Sequence, residues 1–157
     1  YKCKIIVLPT LELPSSSFIN VKSARYRADT LIRFLKKNKP DSVSYLIGIT
    51  NKDISTTKRD RHGKIKLPQN TYSDWGVFGL GFRPGPSCMV STYRLKNRDK
   101  EKQNSRIQKV AVHEIGHNLG LPHCTTNEKC VMQDAVESIK TVDNAELSLC
   151  NSCQRKI

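Results

Sequence analysis

Three histidines are spaced as ligands to a single metal ion, in the segment 113–123, which reads HEIGHNLGLPH. An α-helix advances about 100° per residue, so His113 and His117 would lie about 40° apart on one helical face. Gly120 can end that helix with a positive φ, and the chain can then return His123 to the same ion. Zn²⁺ binds neutral imidazole nitrogen, and three such ligands leave a fourth tetrahedral position open, as in catalytic zinc sites.

Glu114 is the residue of this segment that we expect to perform acid–base chemistry. It follows the first histidine, where its carboxylate can take a proton from an attacking water rather than bind the metal. The segment therefore predicts a zinc-dependent hydrolase, with His113, His117 and His123 on the catalytic zinc and Glu114 as the general base. The competing interpretation is a helix with two surface histidines and an unrelated third histidine in a turn.

Four cysteines form a second candidate metal site: Cys124, Cys130, Cys150 and Cys153. A C-x5-C pair and a C-x2-C pair separated by a short segment are typical of a tetrathiolate zinc site. The alternative is two disulfides, which would require an oxidising compartment. We favour a structural zinc, because a C-x2-C pair grips a metal better than it closes on itself. Since Cys124 directly follows His123, this second ion would hold the third catalytic ligand in place.

These motifs together resemble the archaemetzincin family, zinc peptidases of the metzincin clan. The resemblance is carried by HEIGHNLGLPHC, by the CVM at 130–132 and by the CNSC at 150–153. It extends upstream to the order of WGVFGLGF, MVSTYRL and the zinc helix. It implies that Met132 lies in a tight turn, the Met-turn, beneath the zinc histidines. It also implies that the stretch from Trp75 to Phe82 is an edge strand, which pairs with an extended peptide substrate through backbone hydrogen bonds.

The apolar pattern predicts the elements that position these residues. Strands are predicted over 3–8, 43–50, 75–82 and 88–95, helices over 21–39, from about 99–105 to 120 and after 141, and a long polar loop over 51–74. The initial strand, helix, strand order predicts parallel pairing of the first two strands. A core row repeats every four positions in the long helix: Ile107, Ala111, Ile115 and Leu119. We expect this row to face the sheet and the metal histidines to face a cleft.

The predicted fold class is α/β (α+β by some schemes). By resemblance it is a compact metzincin-like domain, in which a small twisted mixed sheet packs on a backing helix and on the zinc-binding active-site helix. We expect a single domain over 1–157. Residues 1–120 would hold the sheet and the active-site helix. Residues 121–157 would hold the third histidine ligand, the Met-turn and a C-terminal zinc subdomain built on the four cysteines.

The chain is strongly basic, with 27 Lys and Arg against 14 Asp and Glu, a net charge of +13. Such a charge attracts anionic partners, but an aromatic content of 6% offers little for base stacking, so nucleic acid is not expected as the primary partner. No apolar run approaches the ~20 residues that span a bilayer. We expect a monomeric zinc metallopeptidase that acts on a peptide or protein substrate. The rival function is a zinc-stabilised module that binds a peptide or an acidic partner without useful turnover.

Two further cysteines, Cys3 and Cys88, fall in or beside predicted strands. There they would be small buried hydrophobic side chains or a disulfide. The compartment depends on the state of the cysteines. Four thiolates on zinc favour a reducing, cytoplasmic compartment, whereas disulfides would indicate an exported protein from which an upstream signal segment was removed.

Overall fold

The computed structural model describes residues 3–134 and 138–157. Within these ranges the chain forms strands β1 (Phe18–Asn20), β2 (Ala24–Arg27), β3 (Leu46–Thr50), β4 (Ile54–Thr56), β5 (Trp75–Val77), β6 (Gly79–Gly81) and β7 (Ser87–Ser91). It also forms helices α1 (Ala28–Lys37), α2 (Gln69–Tyr72), α3 (Lys100–Asn118), α4 (Ile139–Asn144) and α5 (Asn151–Gln154), with short 3-10 helices at Ser15–Ser17 and Tyr93–Leu95. In this part of the chain, no helix combines the length and the apolar character needed to cross a bilayer.

The strands form two small mixed sheets. In the first, with the order β1-β2-β4-β5, β2 runs parallel to β4 and the other pairings are antiparallel. In the second, with the order β3-β7-β6, β3 runs parallel to β7 and β6 runs antiparallel to it. This arrangement of helices and mixed sheets confirms the predicted fold class.

Strand β7 lies at the centre of the core, with all five of its residues buried. Successive side chains of a strand point to opposite faces of the sheet. Met89 accordingly packs on the apolar side of α1, against residues such as Leu31, whereas the next residue, Val90, packs with Val110 of α3. Helix α1 is therefore the predicted backing helix, and α3 covers the opposite face.

The N-terminal segment differs from the prediction. Residues 3–8 form no strand, and Ile5 and Val7 are 81% and 91% exposed. An apolar run becomes a strand only where a neighbour accepts its hydrogen bonds, and this segment pairs with none of the described strands. Cys3 is consequently exposed rather than buried, Cys88 is buried in β7, and the two form no disulfide.

Several element boundaries are also corrected. The helix predicted over 21–39 begins at Ala28, because the four preceding residues form β2 and pair with β1 and β4. The parallel pairing predicted between 3–8 and 43–50 is wrong, since 3–8 forms no strand and β3 pairs in parallel with β7 instead. The predicted loop over 51–74 contains β4 and α2, the strand over 43–50 begins at Leu46, and that over 88–95 is β7 followed by a 3-10 helix.

Helix α3 begins where expected, because the Asp99 carboxylate accepts hydrogen bonds from the N–H groups of Glu101 and Lys102 at 2.9 and 3.2 Å. Its buried row, however, lies one position before the predicted one and includes Val110 and Glu114. The predicted residues Ile107, Ala111, Ile115 and Leu119 are only partly buried. The reason is that the glycines of β6 leave room for Glu114, so this polar side chain occupies the face that packs on the sheet.

Candidate active site

The C-terminal end of α3 turns the chain back towards its own histidines. Gly120 has φ 96°, and its N–H donates to the carbonyl of His117 at 2.8 Å. The N–H of Leu121 donates to the carbonyl of Gly116 at 2.9 Å. These two bonds form a Schellman motif, in which glycine readily takes the left-handed conformation. The motif buries Leu121 and brings His123 beside His117.

The three predicted histidine ligands converge on one point. One ring nitrogen of each lies within 4.8 Å of the others, and the Nε2 atoms of His117 and His123 are 3.2 Å apart. Tetrahedral nitrogen ligands at about 2.0–2.1 Å from zinc lie roughly 3.3–3.4 Å from one another. This histidine triad, His113, His117 and His123, therefore fits a single zinc ion with little rearrangement.

Backbone carbonyls hold two of the rings in the orientation that metal binding requires. His113 Nδ1 lies 2.8 Å from the carbonyl of Val131, and His117 Nδ1 lies 2.7 Å from the carbonyl of Leu121. A carbonyl oxygen can only accept a hydrogen bond, so Nδ1 carries the proton in both neutral rings. The lone pair of Nε2 is then left for a metal.

The surroundings also keep the histidines neutral. Burial, with a smaller contribution from neighbouring His117, lowers the pKa of His113 to about 3. Burial likewise lowers the pKa of His117 and of His123 below the ordinary value. His123 is the most open of the three, and its Nδ1 lies 3.4 Å from the carboxylate of Asp134. Neutral imidazole is the form that binds metals, so the triad is ready for zinc at neutral pH.

Glu114 lies beside the triad and packs on β6. The residue is 6% exposed. A Cβ added to Gly79 would lie 2.6 Å from Glu114 Oε1, and a Cβ added to Gly81 would lie 2.9 Å from the Glu114 main-chain oxygen. Glycine is therefore needed at both positions, as expected where two segments approach closely. Burial raises the pKa of Glu114 to about 8, which makes its carboxylate a stronger base.

A cleft of about 440 Å³ contains the triad and Glu114. Residues 77–81 form one wall, and α3 and α4 contribute Val110 and Val142 to the other. The single edge strand predicted from Trp75 to Phe82 is wrong, because the chain passes between sheets at Phe78 and forms β5 and β6 instead. Each of these two strands is the last in its own sheet. Substrate pairing along this wall stays a prediction.

The turn that contains Met132 connects the two candidate metal sites. The Val131 carbonyl holds His113, and the Met132 carbonyl accepts a hydrogen bond from the N–H of Cys124 at 2.8 Å. Met132 itself is fully buried and packs with Leu121. Its assignment as the Met-turn residue stays a prediction.

The four predicted cysteine ligands also converge, with their Sγ atoms within 4.8 Å of one another and none of them in a disulfide. The Sγ atoms of Cys124 and Cys150 are 3.7 Å apart, close to the roughly 3.8 Å between two thiolates on a tetrahedral zinc. A disulfide would require about 2.05 Å. Burial raises the pKa of Cys124, but hydrogen bonds from Thr126 and Asn127 outweigh it and lower that pKa to about 6, which favours the metal-binding thiolate.

Sequence reasoning missed Asn118 and Arg83. Asn118 is buried, and its Nδ2 donates to the carbonyls of Phe82 and Ser87 at 3.0 and 2.9 Å. It therefore joins the end of α3 to the turn between β6 and β7. Arg83 lies in that turn and lines the cleft. No local pattern distinguishes either residue from a solvated side chain.

Comparisons with known proteins agree with this geometry. The family model described as Peptidase family M54 matches residues 2–157. An archaemetzincin from Halobacterium salinarum is 32% identical over 170 residues, which cover 100% of this chain and 84% of the relative. Among solved structures, archaemetzincins from Methanopyrus kandleri and Archaeoglobus fulgidus, the latter complexed with malonate, match with TM-scores of 0.75 and 0.73. Their sequence identities are 28% and 29%, and the matches cover 92% and 96% of this chain and 72% and 80% of theirs. The chain therefore belongs to peptidase family M54, the archaemetzincins.

Proposed function

We propose that this archaemetzincin is a zinc-dependent peptidase of the metzincin type. The catalytic zinc would be held by His113, His117 and His123, and a second, structural zinc by Cys124, Cys130, Cys150 and Cys153. The observation that carries the proposal is the convergence of three imidazole nitrogens beside a buried carboxylate in an open cleft. Zinc held by these residues would act as a Lewis acid, which would lower the pKa of an attacking water towards ~7 and polarise a peptide carbonyl.

Glu114 performs the proton transfers in this mechanism. Its carboxylate accepts the proton of the attacking water and returns it to the leaving amine. Packing against the glycines of β6 holds the carboxylate in one place, which supports transfer at a defined distance. The outer strands β5 and β6 would bind an extended peptide by strand addition and present its carbonyl to the histidine triad.

The cysteine site would act as a scaffold for the third histidine ligand. Cys124 directly follows His123, so a metal that fixes the thiolate also restricts the imidazole beside it. The Met132 carbonyl, which accepts from the N–H of Cys124, adds a backbone restraint to the same segment. Loss of the structural zinc is therefore expected to loosen the catalytic site as well as the C-terminal region.

The decisive experiment compares wild type with Glu114→Gln, measuring zinc by elemental analysis and cleavage with a peptide library. We expect two zinc ions per chain in both proteins and a fall in kcat of about 10²–10⁴-fold in the variant, the usual contribution of a general base. Glu101→Gln, an exposed acid in the first turn of the same helix, is the control and should keep full activity.

Undiminished cleavage by Glu114→Gln would contradict the assignment of the base. Peptides that bind to the zinc-loaded wild type and are never cleaved would instead support the rival function, a zinc-stabilised binding module.

A further inference from the structure

Arg83 projects from the end of one cleft wall, two residues beyond β6. It is exposed and lines the cleft together with Gly81, His117 and His123. After burial, which is the main cause, the positive charge of Arg83 is among the causes that lower the pKa of His117 and His123. Arg83 therefore lines the same cleft as these two rings.

Among the described residues, Arg83 has no carboxylate or carbonyl partner, in contrast to the arginines that stabilise the fold. Arg94 donates two hydrogen bonds to Asp53, at 2.6 and 2.8 Å. Arg106 donates two to Asp143, at 2.6 and 2.7 Å. The donors of Arg94 and Arg106 are used by the protein itself, whereas those of Arg83 are available to a ligand.

The charge balance of the cleft favours an anionic ligand. A cation beside a metal site is electrostatically unfavourable, because it repels the ion. Lys58 and Lys109 also line the cleft, on a chain with a net charge of +13. The acidic residues among the described lining are Glu114, which packs on β6, and Asp134, which faces the third histidine. A carboxylate on the ligand is therefore the natural counter-charge for Arg83.

We propose that Arg83 is a specificity residue, which binds a carboxylate of the peptide close to the scissile bond. A guanidinium presents its N–H donors as a fork that matches the two oxygens of a carboxylate. Arg83 follows the end of β6 by two residues, so a peptide that pairs along β6 at about 3.3 Å per residue would reach Arg83 about two residues beyond the end of that strand. The carboxylate belongs either to an Asp or Glu side chain or to the C-terminus of the peptide. The inference rests on the proposed function for the scissile bond, although peptide binding can be measured without cleavage.

The test uses internally quenched decapeptides that carry Glu, Gln or Lys at each position in turn, each made with an amidated and with a free C-terminus. Values of kcat/KM are measured with the zinc-loaded full chain for wild type, Arg83→Ala, Arg83→Glu and Arg98→Ala. Arg98→Ala removes the same charge from an exposed position outside the cleft. Binding of the same peptides is measured by fluorescence anisotropy in the Glu114→Gln background, where cleavage does not interfere.

We expect Glu at one position near the scissile bond to raise kcat/KM about tenfold over Gln, the lower end of the range for a hydrogen bond to a charged group. Arg83→Ala should remove this advantage, and Arg98→Ala should leave it unchanged. Arg83→Glu should instead give the higher kcat/KM to the peptide with Lys at that position. If only the free C-terminus gives the advantage, the carboxylate that Arg83 binds is the terminal one.

Two results would overturn the inference: wild type with no preference for a carboxylate, or an Arg83→Ala variant that loses activity equally on the Glu, Gln and Lys peptides. The latter would mean that Arg83 acts on the reacting carbonyl or on the fold. If no peptide is cleaved by any protein, yet Glu peptides bind more tightly only when Arg83 is present, the proposed peptidase function fails and the binding of a peptide carboxylate by Arg83 stands.

Discussion

Close packing between α3 and β6 positions Glu114, and one added methyl group can test it. In Gly81→Ala the new Cβ would lie 2.9 Å from the Glu114 main-chain oxygen and 3.2 Å from the Cβ of Cys88. Neither atom is the end of a flexible side chain, so no rotamer change relieves the contact. The helix must move away from the strand by about 0.5 Å to restore an ordinary separation. This movement carries Glu114 and the adjacent His113 with it.

The expected loss has two components. Overpacking of a well-packed core costs about 1–3 kcal/mol, and each kcal/mol lowers Tm by about 2–4 °C in a domain of this size. A displacement of about 1 Å near the reacting atoms can reduce the rate by about 10²-fold. For a shift of about half that size we expect a roughly tenfold fall in kcat/KM for Gly81→Ala. Thermal unfolding and peptide cleavage below the melting temperature measure the two components separately.

Gly48→Ala is the matched control, because it adds the same methyl group at a position that does not line the cleft. Its Cβ would meet the ends of two flexible side chains, Met89 Cε at 2.7 Å and Leu35 Cδ1 at 2.8 Å. This variant should lose some stability but keep the wild-type kcat/KM. If Gly48→Ala lost as much activity as Gly81→Ala, or if Gly81→Ala matched wild type in both measurements, the position of α3 on β6 would not control catalysis.

Two further predictions concern the elements around the site. Arg106→Ala removes both hydrogen bonds to Asp143 and should lower the free energy of unfolding, measured in urea, by about 3 kcal/mol. This value is the lower end of the range for breaking a buried ion pair, because Asp143 is 26% exposed. Hydrogen bonds from Arg106 also hold the pKa of Asp143 below its ordinary value of ~3.9, so this stabilisation is complete above about pH 4 and is lost as the pH falls further. In Asp143→Asn the free energy of unfolding should therefore fall less steeply as the pH drops below about 4. The same pH dependence as in wild type would show that the Arg106–Asp143 pair does not contribute this stability. Replacing Cys150 and Cys153 together by Ser should reduce the zinc content from two ions to one or none. One zinc in both proteins, with only the thiols of Cys3 and Cys88 free in wild type, would instead indicate disulfides among the other four cysteines.

The histidine cluster could be predicted because its geometry is set locally. Helical spacing places His113 and His117 on one face, and the Schellman motif at Gly120 returns His123 after only a few residues. Every interaction involved spans at most six positions, apart from the Val131 carbonyl that orients His113. A short motif therefore contains nearly all the information that brings these ligands together.

Predictions failed where the partner of a segment is distant in the chain. Residues 24–27 continue a helical pattern, yet they form β2, which pairs with the nearby β1 on one side and, on the other, with β4, much later in the chain. Residues 3–8 have the apolar character of a strand but pair with no described strand. Hydrophobic periodicity states which side chains prefer burial, and it does not state which neighbour supplies the hydrogen bonds.

The glycines of β6 show the same limit at the active site. Their presence in the predicted strand indicated a close backbone approach, but the approaching group is the buried Glu114 of α3, which is distant in the chain. A charged residue was not expected on the packed face of the helix, so the core row was assigned one position too late. The two errors have one cause. Strand β6 has glycines where side chains would otherwise pack, and this leaves room for α3 to bury the Glu114 carboxylate. A sequence pattern that predicts burial from hydrophobicity therefore places Glu114 on the wrong face of the helix.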